Sequence, residues 1–400
     1  MENNTQLKEM IRSMVIDILQ GQKQEMASSQ PIKQAPRGQV EPGVFDTVDE
    51  AIQAAKAAQA RFEDCTLATR EKVIADIRAA MRPRVQELAQ KTVDETGMGR
   101  VADKVLKLNL TLNKTPGVED LVTECETGDN GMTLYELSAY GVIGAITPST
   151  NPAETLICNS IGMLAAGNAI FFSVHPGAKN LSRELVSELN QVIAKSIGIE
   201  NLIVTLREPS IESAQEMMLH PDVSLLVVTG GPGVVKQALQ SGKKVIGAGA
   251  GNPPAFVDET ADIKKAAQDI VLGASLDNNI LCIAEKSVVA MRQIEPQLVQ
   301  EMVKAGCILI ENQQDIQRLV DLTVLPNGTP NKKFVGKNAS VILDAAHIPY
   351  NGDPRLIIMR APKNHPFAVI EMLMPILPVV TVDSFDEGLD VCLMLEAGLH

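Results

Sequence analysis

Cys282 lies between an Asn-rich turn and a short apolar run that ends in Glu-Lys, in the stretch DNNILCIAEKS. A cysteine thiolate is a nucleophile that can form a covalent intermediate with a carbonyl or acyl group. Most buried cysteines are inert and pack as small hydrophobic residues, which is the ordinary alternative. Cys282 is therefore a candidate nucleophile, and its assignment depends on the groups that the rest of the chain supplies.

A second stretch suited to ligand binding is SLLVVTGGPGVVKQAL, residues 224–239. A predicted buried strand ends there in Thr229, Gly230 and Gly231, and a predicted helix follows. Glycines let the backbone approach a ligand, and the N-terminus of a helix favours a phosphate group. The spacing is not GxGxxG, so a plain tight turn between strand and helix is the alternative.

The stretch PSTNPAET, residues 148–155, follows the predicted strand VIGAIT and precedes a predicted helix. The hydroxyl of Thr150 and the amide of Asn151 can donate hydrogen bonds to a ligand at the carboxyl end of that strand. An ordinary helix N-cap is the alternative, because Ser, Thr and Asn are common at that position.

The stretch GAGAGNPP, residues 247–254, contains G-x-G-x-G, but Pro-Pro follows it instead of a helix. The context of a dinucleotide-binding fingerprint is therefore missing. A strand end so rich in glycine lets a substrate or another backbone segment approach closely. The stretch contains no carboxylate and no other base.

Composition and charge exclude several classes of function. The chain has 36 Lys and Arg against 49 Asp and Glu, a net charge of −13, which argues against nucleic acid and anionic membrane surfaces as partners. No run of about 20 apolar residues occurs, so we expect no membrane span, and no signal-peptide pattern opens the chain. The six cysteines show no CxxC spacing and the histidines share none, which predicts no metal site and a reducing cytoplasm.

Short apolar strands alternate with helical segments through most of the chain. The first series consists of VIGAIT, AIFFSV, NLIVTL, SLLVVT and KKVIGA, and after Gly251 a second consists of SVVAM, CILI, SVILDAA and PVVTV. This alternation predicts an α/β fold of two doubly wound domains with parallel sheets, residues 44–250 and 251–400. Two alternating strands around Gly-Asp-Asn-Gly predict a β-hairpin at about residues 120–140.

Residues 1–20 predict an amphipathic helix, and residues 21–43, rich in Gln, Ser, Pro and Gly, predict a flexible linker. A short tethered helix cannot bury its apolar stripe alone, so it needs a partner surface. Folding back on the chain's own core is the alternative. The polar face is mixed instead of rich in Lys and Arg, which disfavours a membrane-surface helix.

These four motifs and a fifth, EMLMPILPVV at residues 371–380, resemble the aldehyde dehydrogenase superfamily in their order along the chain: PSTNP, VTGGPG, GAGAGNPP, NNILCIAEKS and EMLMPILPVV. Within it, the chain is similar to the CoA-acylating propionaldehyde and acetaldehyde dehydrogenases of bacterial microcompartments. The resemblance runs from about Val44 to the last residue. It implies an aldehyde dehydrogenase-like fold, with residues 44–250 binding the cofactor NAD and residues 251–400 carrying out catalysis.

The resemblance implies a role for each matching residue. Cys282 matches the nucleophile, which attacks the aldehyde and then carries the acyl group as a thioester. The backbone N–H of Cys282 and the amide of Asn151 match the oxyanion donors, with Thr150 as the substitute for Asn151. The remaining matches are to the NAD site, where Glu371 corresponds to the residue that holds the nicotinamide ribose. The residues expected to bind the cofactor are Thr229, Gly230, Gly231, Glu371, Pro148, His175 and Pro176.

Two departures from the hydrolytic relatives bear on the reaction. Those enzymes have a glutamate that activates water, whereas this chain has Ala248 or Gly249 at that place, so coenzyme A becomes the expected acyl acceptor. At the position that faces the adenosine ribose, this chain has His175 and Pro176 where the relatives carry Lys-Pro-x-Glu. The choice between NAD and NADP therefore stays open. A hydrolytic dehydrogenase and an inactive shell-binding fragment remain as alternative functions.

The resemblance also carries expectations about assembly. The helix at residues 1–20 is expected to dock the enzyme to shell or cargo proteins of a microcompartment in the cytoplasm. The hairpin at about residues 120–140 is expected to support a homo-oligomer. The family continues beyond VCLMLEAGLH, so the C-terminus is expected to be truncated and the second domain incomplete.

Overall fold

A computed structural model of the chain describes residues 41–398. The predicted helix at 1–20, and residues 21–40 of the predicted linker, lie outside the described residues. The elements up to residue 248 are β1 Val44–Phe45, α1 Val48–Glu63, α2 Leu67–Met81, α3 Val85–Thr96, α4 Val101–Lys114, β2 Glu124–Gly128, β3 Gly131–Tyr135, β4 Val142–Ile146, α5 Pro152–Ala165, β5 Ala169–Ser173, α6 Lys179–Ile197, β6 Ile203–Leu206, α7 Ile211–Leu219, β7 Val223–Thr229, α8 Pro232–Leu239 and β8 Lys244–Ala248. Those that follow are β9 Pro254–Val257, α9 Ile263–Ser275, β10 Ser287–Met291, α10 Glu295–Lys304, β11 Cys307–Leu309, α11 Gln313–Thr323, α12 Ala339–Ala345, β12 Leu356–Arg360, α13 Pro366–Val369, β13 Ile376–Val382 and α14 Phe385–Glu396.

The first sheet within residues 41–398 has six parallel strands in the order β1-β6-β5-β4-β7-β8. Strands β4, β5 and β6 are buried along their whole length, which is why they read as continuous apolar runs. The chain proceeds from β4 outward through β5 and β6, then returns to the other side of β4 with β7. The strand order therefore reverses between β4 and β7, and ligands bind at the carboxyl ends of strands at such a point.

The second sheet of the described chain has five parallel strands in the order β11-β12-β13-β10-β9. The prediction of an α/β fold with parallel sheets is thus confirmed. The first sheet is built from residues 44–248 and the second from residues 254–382. The roles assigned to residues 44–250 and 251–400 stay predictions.

The predicted strand SVILDAA is wrong, because this segment forms helix α12. Its buried side chains are Ala339, Ile342 and Leu343, the spacing of one helical face. The strand beside β11 is instead LIIMR, β12, which the sequence reading missed. Short apolar runs of this length do not distinguish helix from strand by periodicity.

Residues 124–135 form a two-stranded antiparallel hairpin, as predicted. Both strands are exposed at every position. Pro83 lies in a short 3-10 turn, Arg82–Arg84, which separates α2 from α3 because proline cannot donate a helical hydrogen bond. No helix among residues 41–398 is long and apolar enough to span a bilayer.

Candidate active site

The turn before Cys282 has an unusual backbone. It links the end of α9 to β10, and Asp277, Asn278 and Asn279 all have positive φ angles, of 50°, 57° and 63°. Asn and Asp tolerate this left-handed conformation better than most residues, but each such residue still costs on the order of 1 kcal/mol. Three in succession persist only where the surroundings determine them.

The carboxylate of Asp277 is the main anchor of this turn, and its side chain is fully buried. It accepts hydrogen bonds from the backbone N–H of Arg100 at 2.8 Å and from the ammonium of Lys104 at 3.0 Å. The ammonium of Lys107 lies 2.5 Å from its Oδ2. The backbone N–H of Asp277 donates to Asp103 Oδ2 at 2.9 Å, so helix α4 holds the turn from one side.

The two asparagines anchor the turn from the other side. Asn278 Nδ2 donates to the carbonyl of Gly336 at 2.8 Å and to Asn338 Oδ1 at 2.9 Å. Asn279 Nδ2 donates to the carbonyl of Ala274 at 2.7 Å and to that of Glu285 at 3.0 Å. These bonds satisfy buried amides and fix the path of the chain into Cys282.

Lys286 is the cation closest in sequence to Cys282, and it is only 3% exposed. Its ammonium donates to the carbonyl of Asn279 at 2.9 Å, to Asn279 Oδ1 at 2.5 Å and to the carbonyl of Leu281 at 2.7 Å. Burial lowers the pKa of Lys286 to about 8. The negative charges of Glu371, Cys282 and Glu285 act in the opposite direction but do not outweigh burial. Near neutral pH the side chain is therefore a fixed ammonium behind the Cys282 segment.

Cys282 itself is partly exposed, and the next residue, Ile283, is 73% exposed. Cys307 differs sharply, because burial raises the pKa of its thiol to about 12. Burial also raises the pKa of Cys392. Cys282 is thus an accessible thiol in a braced turn, while Cys307 has the properties of a structural residue.

The PSTN segment contacts the same cations. Lys104 donates to the carbonyl of Thr150 at 3.1 Å, and Lys107 donates to Asn151 Oδ1. Asn151 Nδ2 donates to Thr150 Oγ1 at 3.2 Å. Asn151 occupies the N-cap position of α5, as the alternative interpretation predicts, but within the described chain its side chain makes no capping hydrogen bond. The structure brings Thr150 and Asn151 together with the turn that carries Cys282.

The predicted cofactor residues of the first sheet lie at one edge. Pro148 follows β4, Thr229 ends β7 on one side of it, and His175 and Pro176 follow β5 on the other side. The backbone N–H of Gly230 donates to the carbonyl of Ala248 at 3.1 Å, which pins the turn to β8. All of them lie at the carboxyl ends of their strands, and Pro148 and Thr229 flank the point where the strand order reverses.

The glycine turn after β7 fits a pyrophosphate. Gly231 is the N-cap of α8. A Cβ built at Gly231 meets no described atom within 4 Å, so the backbone there faces open space. The N-terminus of a helix stabilises a phosphate, and the Gly230–Gly231 backbone allows its close approach.

The end of the glycine-rich stretch lies beside the segment that follows Cys282, because β9 pairs with β10 in parallel from Pro254 and Ser287 onward. Lys286 donates its backbone N–H to the carbonyl of Pro253 at 2.8 Å. Asn252 Nδ2 is buried and donates to the carbonyls of Ala368 and Leu395 at 2.9 and 2.8 Å, which anchors the end of the stretch. Residues 247–254 contain no Asp or Glu, so this stretch supplies no carboxylate base.

Glu371 lies in the segment that leads into β13, and its charge acts on Lys286. The second sheet thus contributes Glu371 as well as Cys282 to the site. Among residues 41–398, no group of three or more His, Cys, Asp or Glu side chains could hold a metal ion.

The sequence reading missed the buried charges that support the site: Lys104, Lys107, Asp277, Glu154 and Lys286. Helix α4 gives the clearest example, because Lys104 and Lys107 lie on the same buried face as Leu108 and Leu112. Lys104 and Lys107 are buried, whereas Leu106 and Leu110 are 62% and 61% exposed. Leucine occurs at every second position from 106 to 112, which marks no single helical face, so the inward face depends on distant partners.

The sequence profile of the aldehyde dehydrogenase family matches residues 18–400. The chain therefore belongs to the aldehyde dehydrogenase family. The CoA-propanoylating propanal dehydrogenase of Salmonella typhimurium is 47% identical over 399 residues, which cover 100% of this chain and 83% of that relative. The resemblance to CoA-acylating propionaldehyde dehydrogenases is thus confirmed.

Two solved structures are similar over most of the chain. One is a propionaldehyde dehydrogenase from Rhodopseudomonas palustris with bound CoA and an acylated cysteine. The other is a propionaldehyde dehydrogenase from the fucose utilisation bacterial microcompartment of Clostridium phytofermentans. Each has a TM-score of 0.87 and 46% identity, covering 90% of this chain and 82% of the solved chain. These similarities confirm the aldehyde dehydrogenase-like fold.

Proposed function

We propose that this chain oxidises a short-chain aldehyde, propionaldehyde or acetaldehyde, to the corresponding acyl-CoA, with NAD and CoA. The observation that carries this proposal is that Lys107 contacts both Asp277, in the turn before Cys282, and Asn151. An accessible thiol and an amide donor are thereby held in one buried framework. The similar enzymes that act on propanal and carry an acylated cysteine support the assignment.

In the first half of the reaction, the Cys282 thiolate attacks the aldehyde carbonyl and forms a carbon–sulfur bond. The carbonyl oxygen becomes an alkoxide, which accepts hydrogen bonds from the backbone N–H of Cys282 and from Asn151 Nδ2. Collapse of the alkoxide expels hydride from the carbon and leaves a thioester on Cys282. NAD, when bound, supplies the hydride acceptor; Thr229, Gly230, Gly231 and Glu371 would hold it, with Pro148, His175 and Pro176 at the carboxyl edge of the first sheet.

In the second half, the thiolate of CoA attacks the thioester, and the Cys282 thiolate leaves. Water competes for the same acyl group only where a base activates it. The stretch GAGAGNPP, whose last residue Pro254 pairs with Ser287, has no carboxylate, so we expect the thioester to persist until a thiol arrives. Acyl-CoA is therefore the expected product, and free acid is the product of the hydrolytic alternative.

Product analysis tests this function. The protein is incubated with propionaldehyde and NAD, with and without CoA, and Cys282→Ala is treated in parallel. We expect NADH and propionyl-CoA in steady amounts only when CoA and Cys282 are both present. Equal formation of free acid without CoA would establish the hydrolytic alternative, and no turnover under any condition would support the inactive-fragment alternative.

The apolar stripe of residues 1–20 supports a second role, docking to a shell or cargo protein of a microcompartment in the cytoplasm. The similar enzyme from the Clostridium phytofermentans microcompartment supports this location. Deletion of residues 1–20 should leave turnover in solution intact and abolish encapsulation. Loss of turnover in solution would contradict a role confined to docking.

The exposed hairpin supports a homo-oligomer. Met132 and Leu134 on β3 are 66% and 58% exposed, which is unusual for apolar side chains on one short strand. We expect Met132→Ser together with Leu134→Ser to lower the oligomeric mass in light scattering. An unchanged mass would place the interface elsewhere.

A further inference from the structure

Lys107 connects two segments that carry proposed catalytic groups. Its ammonium donates to Asn151 Oδ1, lies 2.5 Å from Asp277 Oδ2 and lies 3.3 Å from Glu154 Oε1. Asn151 belongs to the segment after β4, and Asp277 belongs to the turn before Cys282. One buried side chain of α4 therefore joins the proposed oxyanion donor to the turn of the nucleophile.

The contact with Lys107 decides which way the Asn151 amide points. An ammonium has three donors and no acceptor, so the amide atom that faces it must be the carbonyl oxygen. The NH2 group then faces the other way, where one N–H bonds Thr150 Oγ1 at 3.2 Å. An NH2 group has two N–H donors, so the second is available to a ligand.

The charge of Lys107 is maintained in the buried site. Burial acts to lower its pKa, but the carboxylates of Glu154 and Asp277 outweigh burial and raise it. Lys104, one turn earlier, has a lowered pKa because it is buried beside Lys107. Lys107 is therefore the member of this pair that remains a protonated ammonium and donates a hydrogen bond to Asn151.

We propose that Lys107 is a positioning residue for the oxyanion site: it holds the Asn151 carbonyl so that the amide N–H faces the substrate oxygen. The proposal rests on the proposed function, in which Asn151 stabilises the alkoxide. It predicts that Lys107 acts on hydride transfer through Asn151. In a hydrolase of another family, removal of one oxyanion donor slows catalysis by about 100- to 1,000-fold.

A double-mutant cycle tests the proposal. Lys107→Met, Asn151→Ala and the double variant are compared in the pre-steady-state rate of NADH formation at saturating aldehyde and NAD. We expect Lys107→Met to slow this rate about 100-fold in the wild-type background, and less than about threefold in the Asn151→Ala background. Equal fold-losses in both backgrounds would overturn the proposal, because a merely structural role does not depend on Asn151.

Lys104→Met is the matched control, because Lys104 is buried in the same cluster but bonds the Thr150 carbonyl instead of the Asn151 side chain. Its fold-loss should be the same in both backgrounds. If Lys107→Met does not fold, Lys107→Arg and Lys107→Gln decide the question, since both keep an N–H donor for Asn151 Oδ1. Rates within about tenfold of wild type support the proposal, and losses as large as that of Asn151→Ala overturn it.

Failure of this proposal is distinguishable from failure of the proposed function. Wild-type protein is first shown to form propionyl-CoA in a Cys282-dependent manner. If it does not, the proposed function fails whatever the cycle shows. If it does and the cycle is additive, only the role of Lys107 is lost.

Discussion

The two turns that carry the proposed chemistry differ in what holds them. The turn at Asp277–Asn279 is buried, has three left-handed residues in succession and is fixed by side chains from α4 and from Asn338. The turn at Thr229–Gly231 is partly or fully exposed, and its Gly230 N–H bonds the Ala248 carbonyl on the neighbouring strand β8.

This difference matches the demands of the two proposed tasks. A nucleophile must be held within a fraction of an ångström of its productive position, so its turn is fixed from several sides. A pyrophosphate needs open space and bare backbone, so its turn carries glycine and leaves room. Substitutions of the residues that anchor the first turn should therefore affect stability and chemistry together, and those at the second turn should affect cofactor binding alone.

The largest effect is expected at the end of the nucleophile turn. Cys282→Ala removes the sulfur that forms the covalent intermediate, so NADH formation with propionaldehyde should fall at least about a thousandfold. The unfolding midpoint in urea should hardly change, because the thiol is only partly buried. Cys158→Ala, at an exposed thiol of α5, is the control and should keep full activity. Residual activity of Cys282→Ala near that of this control would contradict covalent catalysis.

A second large effect is expected at the anchor of the same turn. Asp277→Ala leaves the buried ammonium groups of Lys104 and Lys107 without their shared carboxylate, which should cost about 3–5 kcal/mol of unfolding free energy. Urea denaturation measures this loss. Asp269→Ala, which breaks an exposed pair with Lys265, should cost only a small fraction of that loss, because exposed ion pairs contribute little. Similar losses for the two variants would show that the turn is not anchored from α4.

Lys286 gives a smaller effect that depends on pH. Burial lowers its pKa from the ordinary 10.5 to about 8, so between these values the unfolded chain binds a proton that the folded protein has released. Stability contributed by this group therefore rises as pH increases through that window, by up to about 3 kcal/mol.

Unfolding free energies of wild type and Lys286→Met, measured from about pH 7 to about pH 10, test this expectation. The difference between wild type and variant should shift in favour of wild type as pH rises. A difference in unfolding free energy that stays constant with pH would contradict the lowered pKa of Lys286.

The smallest effect is expected at the glycine turn. Gly231→Ala adds a Cβ that meets no described atom within 4 Å, so the protein itself should tolerate it. If a phosphate approaches this backbone, the KM for NAD should rise about tenfold with little change in stability. Gly162→Ala, at an equally open position in α5, is the control and should leave the KM unchanged. An unchanged KM for Gly231→Ala would remove this turn from the cofactor site.

The sequence was sufficient for the parts of the molecule that are encoded locally. Apolar runs between turn residues predicted β4 through β8. The motifs around Cys282 and Asn151 indicated two segments that the structure brings together. The strand β12 and the helix α12 were missed or exchanged, because a short apolar run is compatible with either. Their assignment depends on which neighbour each segment meets.

The supporting charges could not be predicted, because their partners are distant in sequence. Lys104 and Asp277 are 173 residues apart, and a charged residue on a helix is ordinarily solvated. Only the fold shows that α4 turns its lysines inward toward two loops. Sequence motifs therefore indicate the candidate residues Cys282 and Asn151, whereas no motif indicates Lys104 or Lys107.

A single-turnover experiment without CoA tests the central claim most directly. Protein is mixed with propionaldehyde and excess NAD, and both NADH and the mass of the Cys282 peptide are followed. We expect about one equivalent of NADH per site, a propionyl group on Cys282, and its release as propionyl-CoA when CoA is added. Continued NADH formation with free propionate and an unmodified Cys282 peptide would contradict the thioester account.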